Sequence, residues 1–223
     1  MTKKKMSMFR EIMNRSRISK RKAKAVLDGA VEMSSVELNL TECVSGVWEL
    51  RKFTVYKAGA KFHNLRELLN GQNRFIAPGE YWGLYRNGYI IMSNTPAEIN
   101  DHLKFIRKAS GKVLVGGLGL GMVIKYLLEK ESITKVTVIE QSQDVIQLVG
   151  HAYANDPRVE IVNANIFEYK PSEQYDCAWF DIWDNISGEE YPEMKTLHRK
   201  FGHYVGWSDS WLRNQSRKLY YEK

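Results

Sequence analysis

The feature that most constrains this chain is the point where an apolar strand passes directly into a glycine-rich turn. Residues 113–115 are Val-Leu-Val, and Gly116, Gly117, Gly119 and Gly121 follow. Glycine is needed where backbone turns sharply or approaches a ligand closely, because it lacks a Cβ atom that would clash. A helix beginning at such a turn presents unpaired N–H groups at its N-terminus. The run therefore predicts a strand, a ligand-binding turn and a helix in succession.

Strand-like and helix-like segments alternate from this point onward. Short apolar strands separated by helices form a parallel, doubly wound sheet with right-handed crossovers. We therefore predict a Rossmann-like, mostly parallel α/β sheet that is short at one edge and is preceded by a small β-hairpin segment. The predicted strands are 112–115, 135–140, 159–162, 175–181 and 204–207, and the predicted helices are 121–130, 142–152, 191–201 and a basic C-terminal segment.

The segment before this unit has β composition. Residues 46–57 and 81–93 are rich in β-branched and aromatic side chains, and the second run contains Asn87-Gly88. This dipeptide favours a type I′ hairpin, because both residues accept a positive φ. Thr95-Pro96-Ala97-Glu98 has the pattern of a capping box with proline at the first helical position. A helix is therefore predicted to begin there and to end at Gly111.

The positive charge of the chain is concentrated at its N-terminus. The formal net charge is +7, and residues 1–24 carry ten Lys and Arg against Glu11, which leaves −2 for the remaining chain. Such a tail is able to bind nucleic acid by releasing counterions; the alternative is a solvated, disordered tail. We divide the chain into a basic N-terminal segment, 1–40, a small β-hairpin segment, 41–95, and a Rossmann-like nucleotide-binding domain, 96–223.

Composition and spacing argue against several classes of protein. The hydrophobic fraction of 43% is ordinary for a globular chain. No apolar run reaches the ~18 residues of a membrane span, and the charged N-terminus lacks the apolar core of a signal peptide. Cys43 and Cys177 match no zinc or redox spacing. We expect a cytoplasmic protein without a bound metal and without a membrane partner.

An acidic residue ends the second predicted strand of the doubly wound unit. Glu140 follows the Val-Thr-Val-Ile of residues 136–139. In nucleotide-binding sheets an acid at this place accepts hydrogen bonds from ribose hydroxyls. The glycine spacing, Gly-x-Gly-x-Gly, differs from the Gly-x-Gly-x-x-Gly of a pyrophosphate loop. The glycine turn and Glu140 together favour an adenosine ligand over a nicotinamide dinucleotide. The alternative is that Glu140 binds no ligand and only places a negative charge at a helix N-terminus.

The hairpin, the helix through His102 and the glycine turn occur in an order known from one enzyme family. Tyr85-Arg86-Asn87-Gly88-Tyr89-Ile90-Ile91 and the helix precede the turn, and Val115 is apolar where most methyltransferases carry an acid. Over residues 80–185 the sequence thus resembles the spermidine-synthase-like branch of the class I S-adenosylmethionine-dependent methyltransferases. The resemblance implies that the ligand is S-adenosylmethionine or its decarboxylated form.

The resemblance also implies a set of residues around the ligand. Asn165 matches the acid that recognises the adenine amine in the family, and an amide oxygen can accept the same hydrogen bond; the alternative is an ordinary turn residue. His102 aligns with a family histidine, although a lone histidine on a helix is more often a surface or core residue. The implied cofactor-binding residues are Gly117, Leu118, Gly119, Gly121, Glu140, Gln141, Asn165 and Ile166.

Two aspartates fall where the family has Asp-Ser-Ser-Asp. Asp181 and Asp184 are the implied catalytic residues, because a carboxylate can attract a cationic nitrogen and accept its proton; the alternative for Asp184 is a loop cap. Three departures argue against true spermidine synthesis. Leu120 replaces the acid of the family loop, Pro96 replaces a tyrosine and Ile91 replaces a glutamine.

Three functions remain open at this point. The first is a methyltransferase of unknown acceptor, with a small molecule as the expected acceptor. The second is a spermidine-synthase-like transferase of an aminopropyl group to an amine, and the third is a non-catalytic binding module that keeps the fold. Nucleic acid is a further candidate partner through the basic N-terminus. The oligomeric state is open, and a homodimer is compatible with the sequence.

Overall fold

Two β-sheets make up the framework of the molecule. The computed structural model describes Ser19, Arg21, Val26, residues 33–185 and residues 187–222, so the basic N-terminal tail lies almost entirely outside the described residues. No helix within the described ranges is long and apolar enough to cross a membrane. The first sheet is antiparallel, in the order β1-β2-β3-β4. Its elements are β1 (Cys43–Ser45), β2 (Trp48–Val55), α1 (Lys57–Leu69), β3 (Gly79–Arg86) and β4 (Tyr89–Ser93).

The second sheet is parallel and has five strands in the order β7-β6-β5-β8-β9. The chain starts at β5, steps outward twice, then crosses back to β8 and β9, which is the doubly wound arrangement that sequence predicted. The elements are α2 (Pro96–Lys108), β5 (Gly111–Gly116), α3 (Met122–Leu128), β6 (Ile133–Glu140), α4 (Gln143–Val149), a 3₁₀ turn (Gly150–Ala152), β7 (Val159–Asn163), β8 (Tyr175–Phe180), α5 (Tyr191–Phe201), β9 (Val205–Ser210) and α6 (Arg213–Tyr221).

The hairpin between β3 and β4 forms as predicted. Asn87 and Gly88 have φ values of 50° and 78°, so both central residues of the turn occupy the left-handed region. This conformation matches the twist of the flanking strands. The hairpin is the edge of the antiparallel sheet that faces the carboxyl end of the parallel sheet.

Helix α1 was not predicted, because its segment lay in a region for which only β structure was expected. Its buried stripe consists of Ala60, Asn64 and Leu68, so a polar residue interrupts the apolar pattern. Asn64 is nevertheless satisfied, since its Oδ1 accepts the Ile76 N–H and its Nδ2 donates to the Ile76 carbonyl, both at 2.8 Å. The helix is therefore anchored by a tertiary contact that local periodicity does not reveal.

Helix α2 begins at Pro96, as predicted, but the capping box is absent. The Thr95 side chain makes no capping hydrogen bond. Glu98 instead accepts the Ser93 N–H at 2.8 Å and the Ser93 hydroxyl at 2.6 Å. Nor does Gly111 end the helix: α2 stops at Lys108, and Gly111, with φ 69°, is the first residue of β5. The helix is therefore shorter than predicted, and Ala109 and Ser110 connect it to β5.

The central strands β5 and β8 are buried on both faces. Val115 and Trp179 belong to the larger core, which includes buried residues of α2 and α3. Leu114 and Phe180 point to the opposite face and pack with buried residues of α5. Burying each such side chain contributes about 1.5–3 kcal/mol. This packing holds the carboxyl ends of the two strands rigidly where the site lies.

Candidate functional site

A cavity of about 520 Å³ opens at the carboxyl ends of β5, β6 and β8. The strand order reverses between β5 and β8, and ligands of open α/β sheets bind in the crevice at this point. The antiparallel sheet supplies the opposite wall through Trp48, Leu84, Arg86, Ile91 and Met92. A volume of this size lies in the range of small-ligand pockets.

The glycine turn is packed so closely that side chains are excluded from it. Gly117 has φ 96°, and a Cβ atom there would lie 2.1 Å from the Asp181 carbonyl oxygen. At Gly119, with φ 50°, a Cβ would lie 2.6 Å from the sulfur of Met92. Both glycines line the cavity. Glycine is therefore required at both positions for the turn to pack against Asp181 and Met92.

Gly121 has a different role from the two glycines before it. Its φ is 75°, and a Cβ would lie 2.3 Å from the ring of Tyr153. The Tyr153 hydroxyl donates to the Gly121 carbonyl at 2.9 Å. Gly121 lies at the N-cap of α3. It thus shapes the turn rather than the cavity wall.

Glu140 joins the end of β6 to the glycine turn. Its Oε2 accepts the Leu118 N–H at 2.8 Å, and its Oε1 accepts the Ser142 N–H at 2.7 Å. The side chain is half-buried and lines the cavity together with Gln141. Because each carboxylate oxygen offers two acceptor sites, one on each remains for a ligand hydroxyl. Leu118 contributes its N–H to this contact while its side chain is buried in the core.

The segment after β7 forms the next part of the wall. Asn165 Oδ1 accepts the Phe167 N–H at 2.9 Å, so the side chain organises a local turn and lines the cavity as well. Ile166 lines the same wall. The ammonium of Lys200, on α5, donates to the carbonyls of Ile166 at 3.1 Å and Phe167 at 2.6 Å. The turn is therefore fixed from behind by a half-buried cation.

Asp181 and His102 form a buried pair at the base of the cavity. His102 Nε2 lies 3.7 Å from Asp181 Oδ2, and both side chains are more than nine-tenths buried. Burial, followed by the charges of Glu98 and Asp101, raises the pKa of Asp181 to about 8. Burial and the charge of Arg74 lower the pKa of His102 to about 4. At pH 7 the pair is therefore a protonated aspartic acid beside a neutral imidazole.

The His102 ring has spare hydrogen-bonding capacity. Its Nδ1 has no hydrogen-bond partner within the described part of the chain. The ring meets Trp179 edge to face, with centroids 5.6 Å apart. The family resemblance singled out His102 as a candidate functional residue. It did not predict that His102 pairs with Asp181.

Asp184 is not free to act on a ligand alone. Its Oδ2 pairs with the Arg86 guanidinium, which extends from the end of β3. That guanidinium also lies 5.2 Å from the Trp48 ring centroid. Next to it, Trp183 Nε1 donates to Glu193 Oε2 at 2.9 Å. The Asp184 carboxylate is thus neutralised across the mouth of the cavity.

Leu120, one of the departures from the family pattern, lies in the core. Leu120 is fully buried in the core and does not line the cavity. Its N–H lies 3.4 Å from the sulfur of Met92, which fills the space beside the turn. Among the described residues, no group of three or more His, Cys, Asp or Glu is arranged to hold a metal ion.

Several polar residues close to the Asp181–His102 pair were not predicted from the sequence. Arg74 pairs with Asp101 at 2.9 Å, and Trp211 Nε1 donates to the same carboxylate at 3.3 Å. Together with Glu98 they surround the Asp181–His102 pair. Their positions in sequence show no shared spacing, so only the fold reveals the cluster.

Comparison with known proteins gives matches to solved structures only. No known family model matches the sequence, and no curated protein matches it. The DhpI–SAM–HEP complex is 20% identical, over 48% of this chain and 48% of that chain, with a TM-score of 0.38. The N-methyltransferase NodS from Bradyrhizobium japonicum WM9 is 14% identical, over 48% and 61%, with a TM-score of 0.39.

A third similar structure is the spermidine synthase from Thermotoga maritima. It is 26% identical, over 53% of this chain and 45% of that chain, with a TM-score of 0.36. The chain therefore covers between 45 and 61% of the length of these three proteins. The fold class itself rests on the strand order of β5 to β9.

Proposed function

We propose that the chain is an S-adenosylmethionine-dependent transferase, and that it transfers a methyl group to an acceptor not yet identified. The observation that carries the proposal is Glu140, whose carboxylate closes the glycine turn and keeps acceptor sites at the cavity. An acid at the end of the second strand is suited to paired ribose hydroxyls. The cytoplasmic location remains a prediction from the sequence.

The residues of the cavity fit the two halves of this ligand. Glu140 and Gln141 would hold the ribose, and the wall of Asn165 and Ile166 would hold the adenine. Gly117 and Gly119 line the cavity between these two walls, so the methionine half would lie against their backbone.

Charge at the acceptor side favours methyl over aminopropyl transfer. A cationic amine requires ionised carboxylates, but Asp184 is already paired with Arg86. Asp181 is protonated at neutral pH, because burial raises its pKa to about 8. Neither aspartate offers a free negative charge to a polyamine.

When bound, S-adenosylmethionine would supply an electrophilic methyl group on its sulfonium. The protein then has to orient the acceptor and exclude water. The ionised fraction of Asp181 would take the acceptor's proton, which makes this step more favourable as the pH rises towards 8. His102 would hold the carboxyl group in place.

Calorimetry tests the nucleotide part of the proposal. Replacing Glu140 by Ala should weaken S-adenosylmethionine binding by ~1–3 kcal/mol, because buried hydroxyls of the ribose lose their acceptors. Glu131→Ala, at an exposed residue away from the cavity, is the matched control. Because Glu140 also holds the turn, thermal unfolding of both variants is compared first. Equal affinity in a folded E140A protein would refute the assigned role.

Ligand choice separates the three candidate functions. Tighter binding of S-adenosylmethionine than of its decarboxylated form supports methyl transfer, and the reverse order supports aminopropyl transfer. Failure to bind either indicates a non-catalytic module. A screen with methyl-labelled donor against DNA, RNA, polyamines and small metabolites then identifies the acceptor.

A further inference from the structure

A second concave surface, which we call the basic groove, lies between α2, β9 and α6. Its volume is about 390 Å³, and it shares no lining residue with the cavity described above. Four cations line it: Lys104 and Lys108 from α2, and Arg213 and Arg217 from α6. Trp207 of β9 lies among them. The groove is thus a distinct surface on the outer edge of the parallel sheet.

The positive charge of the groove is largely uncompensated. Asp209 also lines the groove and lies 3.9 Å from Lys104, the limit of an ion pair. Lys108, Arg213 and Arg217 form no salt bridge with any carboxylate in the described part of the chain. Like charges gathered in a concave surface repel one another and focus a positive potential. An anion bound there would relieve the repulsion.

The spacing of the cations suits an anion with repeated charges. Each helix contributes two cations four residues apart, which places them on one face and about 6 Å apart along the helix axis. Lys104 and Lys108 form one pair, and Arg213 and Arg217 form the other. A single phosphate can contact only part of this array, whereas a strand carries a phosphate at every nucleotide.

Trp207 supplies an aromatic surface within the same groove. Its ring is half-buried and is supported by Phe105, with ring centroids 5.3 Å apart. The Lys108 ammonium lies 4.0 Å from the Trp207 ring centroid. Lys108 is an exposed, flexible side chain, so an unpaired base can take its place on the ring while the ammonium moves to a phosphate.

We propose that the basic groove binds a single strand of nucleic acid, with one base stacked on Trp207 and the adjacent phosphates held by the two pairs of cations. A duplex does not fit this arrangement, because its bases are already stacked on one another. The proposal goes beyond the transferase function and does not depend on it. It also does not depend on the basic N-terminus, which can bind the same polymer by charge alone.

Fluorescence polarisation of a labelled oligouridine on the full-length chain tests the proposal. The groove variant carries Lys108→Ala, Arg213→Ala and Arg217→Ala. The control variant carries Lys57→Ala, Lys61→Ala and Arg66→Ala on the exposed side of α1, and so has the same net charge. The N-terminal tail is unchanged in both, so its contribution cancels.

The groove variant should bind the oligouridine at least about tenfold more weakly. Its slope of log affinity against log salt should also fall by about 2, because three cations are removed and each phosphate contact to a single strand contributes about 0.7. The control should keep the slope of the unaltered protein. Photocrosslinking with bromouridine in the strand should modify Trp207 or Tyr191, which also lines the groove.

Three results would overturn the proposal. If the groove and control variants have equal slopes of log affinity against log salt, the oligonucleotide binds to other parts of the chain. Competition by free uridine monophosphate as strong as that by the oligonucleotide would assign the groove to a mononucleotide. Equal binding of a blunt duplex would remove the role of the exposed Trp207 ring.

Discussion

At the scale of single residues, the site is built from groups whose chemistry is set by burial. Asp181 and His102 lie together but are both neutral near pH 7, because burial opposes the charged form of each. Asp184, only three positions further along the chain, is instead one-third exposed and pairs with the Arg86 guanidinium. The two aspartates that end the same strand region therefore have different surroundings and different partners.

The buried state of Asp181 predicts a pH dependence of stability. Its pKa is about 8 in the folded protein against an ordinary value of 3.8. Between these values the folded state keeps a proton that the unfolded state releases, so the unfolding free energy falls as the pH rises, by up to about 1.4 kcal/mol per pH unit. Above pH 8 the loss is complete.

Urea denaturation of the native protein and of Asp181→Asn between pH 5 and 9 measures this effect. The neutral amide has no such proton, so the native protein should lose stability relative to D181N up to pH 8 and then run parallel to it. Glu98 and Asp101 are present in both proteins. Subtracting the unfolding free energy of D181N from that of the native protein therefore also cancels their contribution. A difference that stays constant over the range would mean that Asp181 is ionised throughout.

At the scale of elements, the helices and strands with a regular local pattern in the sequence are the ones that were predicted. Strands β5, β6 and β8 are apolar runs bounded by turn residues, and helix α5 has the predicted bounds. The glycine turn and Glu140 are local signals, so both could be read from the sequence. Helix α1 could not, because Asn64 interrupts its buried face and its partner, Ile76, lies beyond the helix.

Asn64 is therefore expected to stabilise the antiparallel unit strongly. Asn64→Ala removes both hydrogen bonds to the Ile76 backbone and leaves two half-buried backbone groups without their partners, which should cost about 1–3 kcal/mol of unfolding free energy. Asn73→Ala, at an exposed position in the following loop, is the control and should change stability by less than about 0.5 kcal/mol. Chemical denaturation of both variants makes the comparison, and equal stabilities would place α1 outside the cooperative unit.

At the scale of the whole molecule, the ligand cavity lies where two independently hydrogen-bonded sheets meet. Contacts that cross this boundary include Arg86–Asp184 at the cavity mouth and Ser45 Oγ, which donates to Asp144 Oδ1 at 2.6 Å. Such pairs join residues distant in sequence and leave no local pattern. The cavity floor could therefore be predicted from the sequence, whereas the contacts that close its mouth could not.

A double-mutant cycle on Arg86→Gln and Asp184→Asn tests whether the mouth contact couples the two sheets. Both side chains are about one-third exposed, so solvent screens the pair and the coupling should be about 0.5–1 kcal/mol of unfolding free energy. It should largely disappear in 1 M salt, where charges are screened within about 3 Å. The Lys52–Glu80 pair, at 2.6 Å between neighbouring strands of one sheet, is the control. If S-adenosylmethionine changes the coupling energy of the Arg86–Asp184 pair and not that of the control pair, the Arg86–Asp184 pair responds to occupancy of the cavity. A coupling energy of zero in low salt would show that the two sheets are held together without this pair.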